Sequence, residues 1–402
     1  ESISLLCKNR NINLKKKNNY LKKVFLSITE LNKYNLILVL IKFLKFILVR
    51  YSFFKIDWDK LNKDNIKNIF FTYSIYSDQQ KIKNGQYNSK YWDPLLYKTD
   101  IEKESYFFNI YFQKDKNFLI HEIFNLRKIR NKNRIFFVEQ LFNLKIFLKI
   151  IFAWSKSIYK TISLRPILFK YLKKKNIFYL KLYIQRDYLN SFIGLPILTN
   201  FYYFFIFQSI SKKLNSIKKI FYLYENQGWE KIMNFHFNYK CETFAVNHAS
   251  IRFWDLRYSK NKYHPNKILV NGDFSYINLK NFGYNNDELE SVESLRYENP
   301  FKLNEKNTSK NILVLFDYSR SSNDQMIQIL NSVKLLNNFK IFVKFHTLGK
   351  IKKDLIKIDY QNYSDDVQNF QFVICSNKTS ASVDFYRKGC KIMIIKDVNE
   401  FN

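Results

Sequence analysis

The chain has 402 residues, 47% of them hydrophobic, and carries 67 Lys and Arg against 34 Asp and Glu, a formal net charge of +33. That length allows two or three domains with ordinary cores. The cationic excess is scattered Lys interleaved with Asn and Ile, without an Arg-rich stripe or RNA-binding signature; this argues against nucleic acid as a partner and favours an acidic membrane surface. Forty Phe and 29 Tyr against seven Gly and five Pro match the output of an AT-rich coding sequence, so the informative residues are those that depart from this background. The four cysteines (Cys7, Cys241, Cys375 and Cys390) are widely spaced, which speaks against a disulfide framework or a structural zinc site and for reduced thiols. The start at Glu1 and the stop at Asn402 read as the ends of a fragment.

In chain order, an N-terminal helical segment (1–65) comes first. Its apolar stretch Leu36 to Val49 is interrupted by Lys42 and Lys45 and is too short and charged to span a bilayer. A polar linker, Lys55 to Asn68, leads to a buried parallel strand at Ile69 to Ser74, a loop at 77–88 and an aromatic helix start at Tyr91-Trp92-Asp93. Tyr106 to Phe112 and Arg134 to Val138 read as strands, followed by long helical stretches. One of these, Phe192 to Ile210, contains Pro196, Asn200 and Gln208 and fits a buried or membrane-surface helix better than a span. Ile220 to Tyr224, Cys241 to Asn247 and Lys267 to Gly272 are further strands, with a helix starting at Trp229. After a polar connector, Tyr297 to Lys310, the alternation resumes with strands at Ile312 to Asp317, Phe339 to Phe345, Phe370 to Cys375 and Lys391 to Lys396. Helices are expected at Asp324 to Leu336 and Ser380 to Lys388. Alternating strands and helices on both sides of one connector predict two parallel α/β domains, 66–300 and 301–402, whose ligand site lies where strand C-terminal ends meet.

Two islands stand out at such ends: Tyr224-Glu-Asn-Gln-Gly-Trp-Glu230 with Asn247-His-Ala-Ser-Ile-Arg-Phe-Trp-Asp-Leu-Arg257, and Cys375-Ser-Asn-Lys-Thr-Ser-Ala-Ser382. Together with Phe71-Thr-Tyr73, Tyr91-Trp92, Asn271-Gly272 and Glu293-Ser-Leu-Arg296, they resemble, in this order, a bacterial surface carbohydrate biosynthesis family with the two-domain GT-B glycosyltransferase architecture. The resemblance runs from residue 66 to the end of the chain and is strongest after residue 220. It implies two Rossmann-like domains facing a cleft, with the far end of the nucleotide-binding domain missing.

The residues have their own chemistry. Thr379-Ser380 opens a helix directly after a strand, where backbone N–H groups and hydroxyls suit a phosphate, though a plain N-cap reads the same way. Lys378 adds a charge there and Ser376 a hydroxyl. Glu225 ends a strand ahead of Gly228, where a tight turn would hold it as general base, or it is a helix N-terminal carboxylate stabilised by the dipole. Glu230, one helical turn on, would anchor the loop. Arg252 and Arg257 offer a planar fork for phosphate or a sugar carboxylate, against the alternative of a structural pair between Arg257 and Asp255 or a Glu. Trp229 and Trp254 could stack on a sugar ring or sit in the core. Two assignments come from the resemblance: His248 on the cleft floor as second choice for the base, and His346 as a contact to the nucleotide phosphate, as in enzymes using CMP-activated sugars. Thr347 stands where those enzymes usually have Pro. No metal-ligand cluster is visible, which points to metal-independent transfer.

The reading is a glycosyltransferase-like enzyme moving a sugar from a CMP- or UDP-linked nucleotide-sugar to a glycan or lipid-linked acceptor, with no further cofactor. It would work in the cytoplasm, peripherally at the inner membrane face. Rivals are a sugar-nucleotide epimerase or polyol-phosphate transferase of the same architecture, and a non-catalytic membrane-surface scaffold.

Overall fold

The computed structural model describes residues 36–52, 56, 66–74, 89, 91–92, 104–111, 120, 123–124, 134–176, 179, 181–248, 251–253, 255–293, 310–333, 338–346, 349, 351, 353–364, 369–377, 379 and 381–396. The polar linker at 55–68, the loop at 77–88 and much of the connector at 297–310 lie wholly or largely outside these. The chain divides into two compact units, Glu1–Arg296 and Tyr297–Asn402.

The first unit holds strands β1 (Asn68–Tyr73), β2 (Ser105–Ile110), β3 (Ile135–Phe137), β4 (Lys219–Leu223), β5 (Glu242–Val246), β6 (Lys267–Val270) and β7 (Leu289–Ser291). They pair in the order β3-β2-β1-β4-β5-β6-β7, every pair parallel. This is the strand order of doubly wound α/β sheets, with the direction of winding reversing between β1 and β4. Register places Phe70 opposite both Phe107 and Phe221, and Phe221 opposite Phe244. The four rings stack across the sheet at centroid spacings of 5.3, 4.9 and 5.0 Å. Each such pair contributes about 0.5–1.5 kcal/mol beyond its buried area, so the Phe excess serves here as a register lock.

Among the described residues the unit's α-helices are α1 (Leu36–Arg50), α2 (Leu144–Lys174), α3 (Lys181–Ile193), α4 (Leu195–Lys213), α5 (Gly228–Phe237) and α6 (Asp273–Asn281). The start of α2 is set by Asn143, whose side chain accepts the Ile146 N–H at 2.9 Å. Its Trp154 indole donates to the Ile193 carbonyl at 2.8 Å, tying α2 to α3. Among the described residues one stretch, Tyr183–Lys213, is long and apolar enough to cross a membrane by length and composition. It breaks at Gly194, and α4 buries Leu198, Tyr202, Ile206, Phe207 and Ile210 completely in the core beneath β1 and β4. Tyr91 and Trp92, expected to begin a helix, lie in a turn.

The second unit holds β8 (Asn311–Leu315), α7 (Arg320–Ser332), β9 (Lys340–Lys344), β10 (Gln361–Asn362), β11 (Phe372–Ser376), α8 (Ala381–Arg387) and β12 (Lys391–Ile395). Its parallel sheet runs β10-β9-β8-β11-β12, the same order with the reversal between β8 and β11. Met326, Ile327 and Leu330 of α7 pack on one set of strand side chains and Phe385 of α8 on the other. Helix α7 begins four residues before the expected Asp324, because Asn323 turns back on the strand end. Its amide accepts the Asp317 N–H at 3.0 Å and donates to the Asp317 carbonyl at 2.9 Å.

One buried carboxyl makes stability pH-dependent. Glu139 follows β3, is fully buried, and accepts the Tyr111 N–H at 2.9 Å. Burial pushes its carboxyl up from 4.5 to about 7, opposed by the Arg50 guanidinium at the end of α1. Burial also holds the neighbouring Tyr202 and Tyr203 neutral. A carboxyl with a raised folded pKa favours folding when protonated. Its contribution is complete below about pH 4.5 and is lost as pH rises to about 7. Glu139→Gln should therefore flatten the fall in Tm across that window, an effect on the order of 3 kcal/mol at most. An unchanged Tm–pH slope in the variant would disprove this.

Candidate active site

The first cluster forms where β1, β4 and β5 end. Leu223 lies opposite Val246, so Tyr224-Glu225 and Asn247-His248 leave the sheet side by side. The Tyr224 N–H bonds to the Val246 carbonyl at 2.8 Å and the Asn247 N–H to the Leu269 carbonyl at 2.9 Å, which continues the ladder to the edge of the site. There Glu225 Oε1 meets His248 Nε2 at 3.4 Å, with the side chains 25% and 12% exposed. The Tyr91 ring stands edge-on to the His248 imidazole at 5.1 Å. A carboxylate and an imidazole in contact, partly open to solvent at a sheet's C-terminal edge, can accept a proton from a hydroxyl and share it.

The turn that presents Glu225 is built differently from its expected form. The left-handed residue is Asn226, at φ 51°, and not Gly228. Asn tolerates this conformation better than most residues; here its amide is fixed by a bond distant in sequence, donating to the Arg257 carbonyl. Gly228 instead lies close to α4, where a Cβ would stand 2.9 Å from the end of the Asn200 side chain. The completely buried Glu230 carboxylate receives the N–H groups of Glu225, Asn226 and Gln227 at 3.3, 2.8 and 3.1 Å. Burial pushes this carboxyl up and the three donors oppose the shift.

Trp229 is 6% exposed and packs against Tyr73, Tyr222 and Phe207, so the indole belongs to the core and is not a platform for a sugar ring. Its N–H donates to Tyr73 Oη at 2.6 Å. Tyr73 ends β1, next to β4, and its signal in the sequence is the Phe71-Thr-Tyr73 motif. Burial, reinforced by the nearby Glu225 carboxylate, raises its pKa, so the hydroxyl stays protonated and can donate. Arg257, expected to bind substrate, forms the ion pair that was its alternative reading. Its guanidinium, 59% exposed, makes a two-pronged contact to Asp255, with Nε to Oδ1 at 2.9 Å and a terminal nitrogen to Oδ2 at 2.6 Å. That pair pulls the Asp255 carboxyl below its ordinary range and occupies the fork. Arg252 is half-buried in the loop between β5 and β6. Trp254 lies outside the described residues.

The second cluster forms where β8 and β11 end, at the reversal of the other sheet. Ser376, the last residue of β11, is buried, and its hydroxyl donates to Asp317 Oδ2. Asp317 is itself fully buried and also accepts the Ser319 N–H at 2.5 Å. It was missed from sequence, although an acidic residue closing an apolar strand run was the available signal. Gly349 packs against it, since a Cβ there would lie 2.6 Å from the Asp317 carbonyl. His346 follows β9, with its ring 6.0 Å from that of Tyr318. Thr379 Oγ1 accepts the Ala381 N–H at 3.3 Å, the local bond of a helix cap. Lys378 and Ser380 lie outside the described residues. Among the described residues no group of three or more His, Cys, Asp or Glu is placed to hold a metal ion.

No protein-family model matches the chain, and no curated protein matches it significantly.

Proposed function

We propose that the chain is a glycosyltransferase-like enzyme of GT-B type that moves a sugar from a nucleotide-sugar to a glycan or lipid-linked acceptor. The observation that carries this reading is the Glu225–His248 contact at the C-terminal ends of β4 and β5, one strand along from the winding reversal between β1 and β4 where doubly wound sheets hold their ligands. In this reading Glu225 takes the proton of an acceptor hydroxyl and His248 steadies the carboxylate. The acceptor oxygen bonds to the anomeric carbon as the bond to the nucleoside phosphate breaks. Tyr73, kept protonated, serves as a donor at the site's edge.

The nucleotide belongs to the second unit in this reading, near Ser376, Thr379 and His346, with Lys378 and Ser380 as further phosphate contacts. The resemblance at His346 points to a CMP-linked sugar, with a UDP-linked one as the alternative donor because Thr347 replaces the usual Pro. Thermal-shift measurements with CMP, UDP, GDP and CDP test it directly. A nucleotide at a hundredfold over its Kd stabilises the folded state by about 2.7 kcal/mol. Thr379→Val with Ser380→Ala should weaken calorimetric affinity for that nucleotide while the melting transition of the free protein stays cooperative. Unchanged affinity in the folded double variant would remove this phosphate role.

A further inference from the structure

Helices α1 and α2 each bury one face, and each leaves an apolar stripe facing away from the core. On α1 the stripe is Ile37, Ile41, Leu44 and Leu48, spaced at helical repeat and 43–72% exposed. On α2 it is Leu144, Leu148, Phe152 and Tyr159, 60–72% exposed, on the side away from the buried Ile146, Ile150 and Trp154. Lone exposed apolar residues are ordinary, but two four-residue stripes on helices that share a packing partner are not. Both helices pack on the same helix, α4: Phe46 of α1 meets Tyr202 edge-on at 5.3 Å, and Lys149 of α2 lies over the Phe205 ring at 5.8 Å.

Charge says what covers these stripes. Neither α1 nor α2 contains a single Asp or Glu. Lys42 and Lys45 on α1 and Lys145, Lys149, Lys156 and Lys160 on α2 are all exposed beside the apolar residues. The Lys156 ammonium sits 4.3 Å from the centre of the Phe152 ring, at the boundary between the apolar and cationic rows. An aliphatic and aromatic row rimmed by Lys is the pattern of a surface that lies in the headgroup region of an anionic bilayer. A second copy of the chain fits worse, because a two-fold interface would set these Lys rows against one another without counter-charge.

We propose that the α1–α2 face docks on an anionic lipid bilayer, inserting its two apolar stripes below the headgroups while the Lys rim pairs with lipid phosphates. This surface is independent of the transfer reaction. The full chain should sediment with vesicles of phosphatidylcholine mixed with phosphatidylglycerol and leave phosphatidylcholine vesicles unbound. A net charge of +33 alone would also attract anionic vesicles, so the deciding variant keeps every charge. Ile41→Ser, Leu44→Ser, Leu148→Ser and Phe152→Ser together remove exposed side chains only, and should weaken vesicle affinity at least about thirtyfold. The control Phe274→Ser with Ile277→Ser removes comparably exposed apolar residues from α6 and should stay within about threefold of wild type. Wild-type-like binding by the stripe variant, equal weakening by the control, or no binding by wild type would overturn the proposal. So would sedimentation velocity showing a dimer that the stripe substitutions dissolve in a protein that ignores vesicles.

Discussion

Glu225→Gln should lower turnover about a hundredfold to ten-thousandfold while leaving donor affinity nearly unchanged, because it keeps size and hydrogen bonding but deletes the proton acceptor. The substituted amide can still reach His248 across the present 3.4 Å contact, so the geometry of the strand ends survives. His248→Asn separates the two ways of using the pair. If the carboxylate takes the proton, the Asn variant loses only orientation, and its defect should be the smaller. If the imidazole takes it, His248→Asn carries the large loss and Glu225 becomes the group that steadies the imidazolium. Steady-state kinetics on both variants with a labelled nucleotide-sugar decide this. Near wild-type turnover in Glu225→Gln beside an inactive His248→Asn would sink the Glu225 assignment.

Glu230→Ala should destabilise the first unit by about 3–5 kcal/mol, the largest stability effect expected in the site. Three backbone N–H groups at 225–227 converge on its buried carboxylate. Removing it strands those donors and opens a cavity, whereas Glu230→Gln keeps one acceptor oxygen, enough for the Glu225 and Gln227 N–H groups, and should cost less. The same carboxylate holds Asn226 in its left-handed conformation, which aims Glu225. The Ala variant should therefore also lose turnover, and Glu230→Gln should lose far less than Glu225→Gln. Urea unfolding with an unchanged m-value measures the stability change. A Glu230→Ala protein within about 1 kcal/mol of wild type would mean that water satisfies the turn and that Glu230 does not hold it.

Most of the sheet strands were legible because a parallel strand buried on both faces is a short continuous apolar run with a polar exit. Ile220 to Tyr224 was expected and Lys219–Leu223 is found; Lys391 to Lys396 was expected and Lys391–Ile395 is found. The missed strands, β7 and β10, are three and two residues long and mainly polar, too brief for any periodicity to register. Helix α6 was missed as well, its apolar residues being too few and too dispersed to mark a face. Local signals also marked Glu225 and Ser376 as polar residues at strand ends, since a strand's exit is encoded in its own residues, whereas the role expected of His248 came from the resemblance.

What chain-local information could not supply was which exits become neighbours. That depends on strand order, and order is set by how crossover helices pack back on the sheet, a sum of contacts between residues far apart in sequence. Only the order β1-β4-β5 brings Tyr73, Glu225 and His248 to one edge, and only β8-β11 puts Asp317 against Ser376. Burial decided the rest. Trp229 and Glu230 stand one residue apart, and packing, not composition, commits the indole to the core and the carboxylate to three backbone donors. Arg257 was open to either role until the turn after β5 set Asp255 within 2.6 Å of its guanidinium. An Arg fork takes the first well-placed carboxylate, and placement is a property of the folded chain.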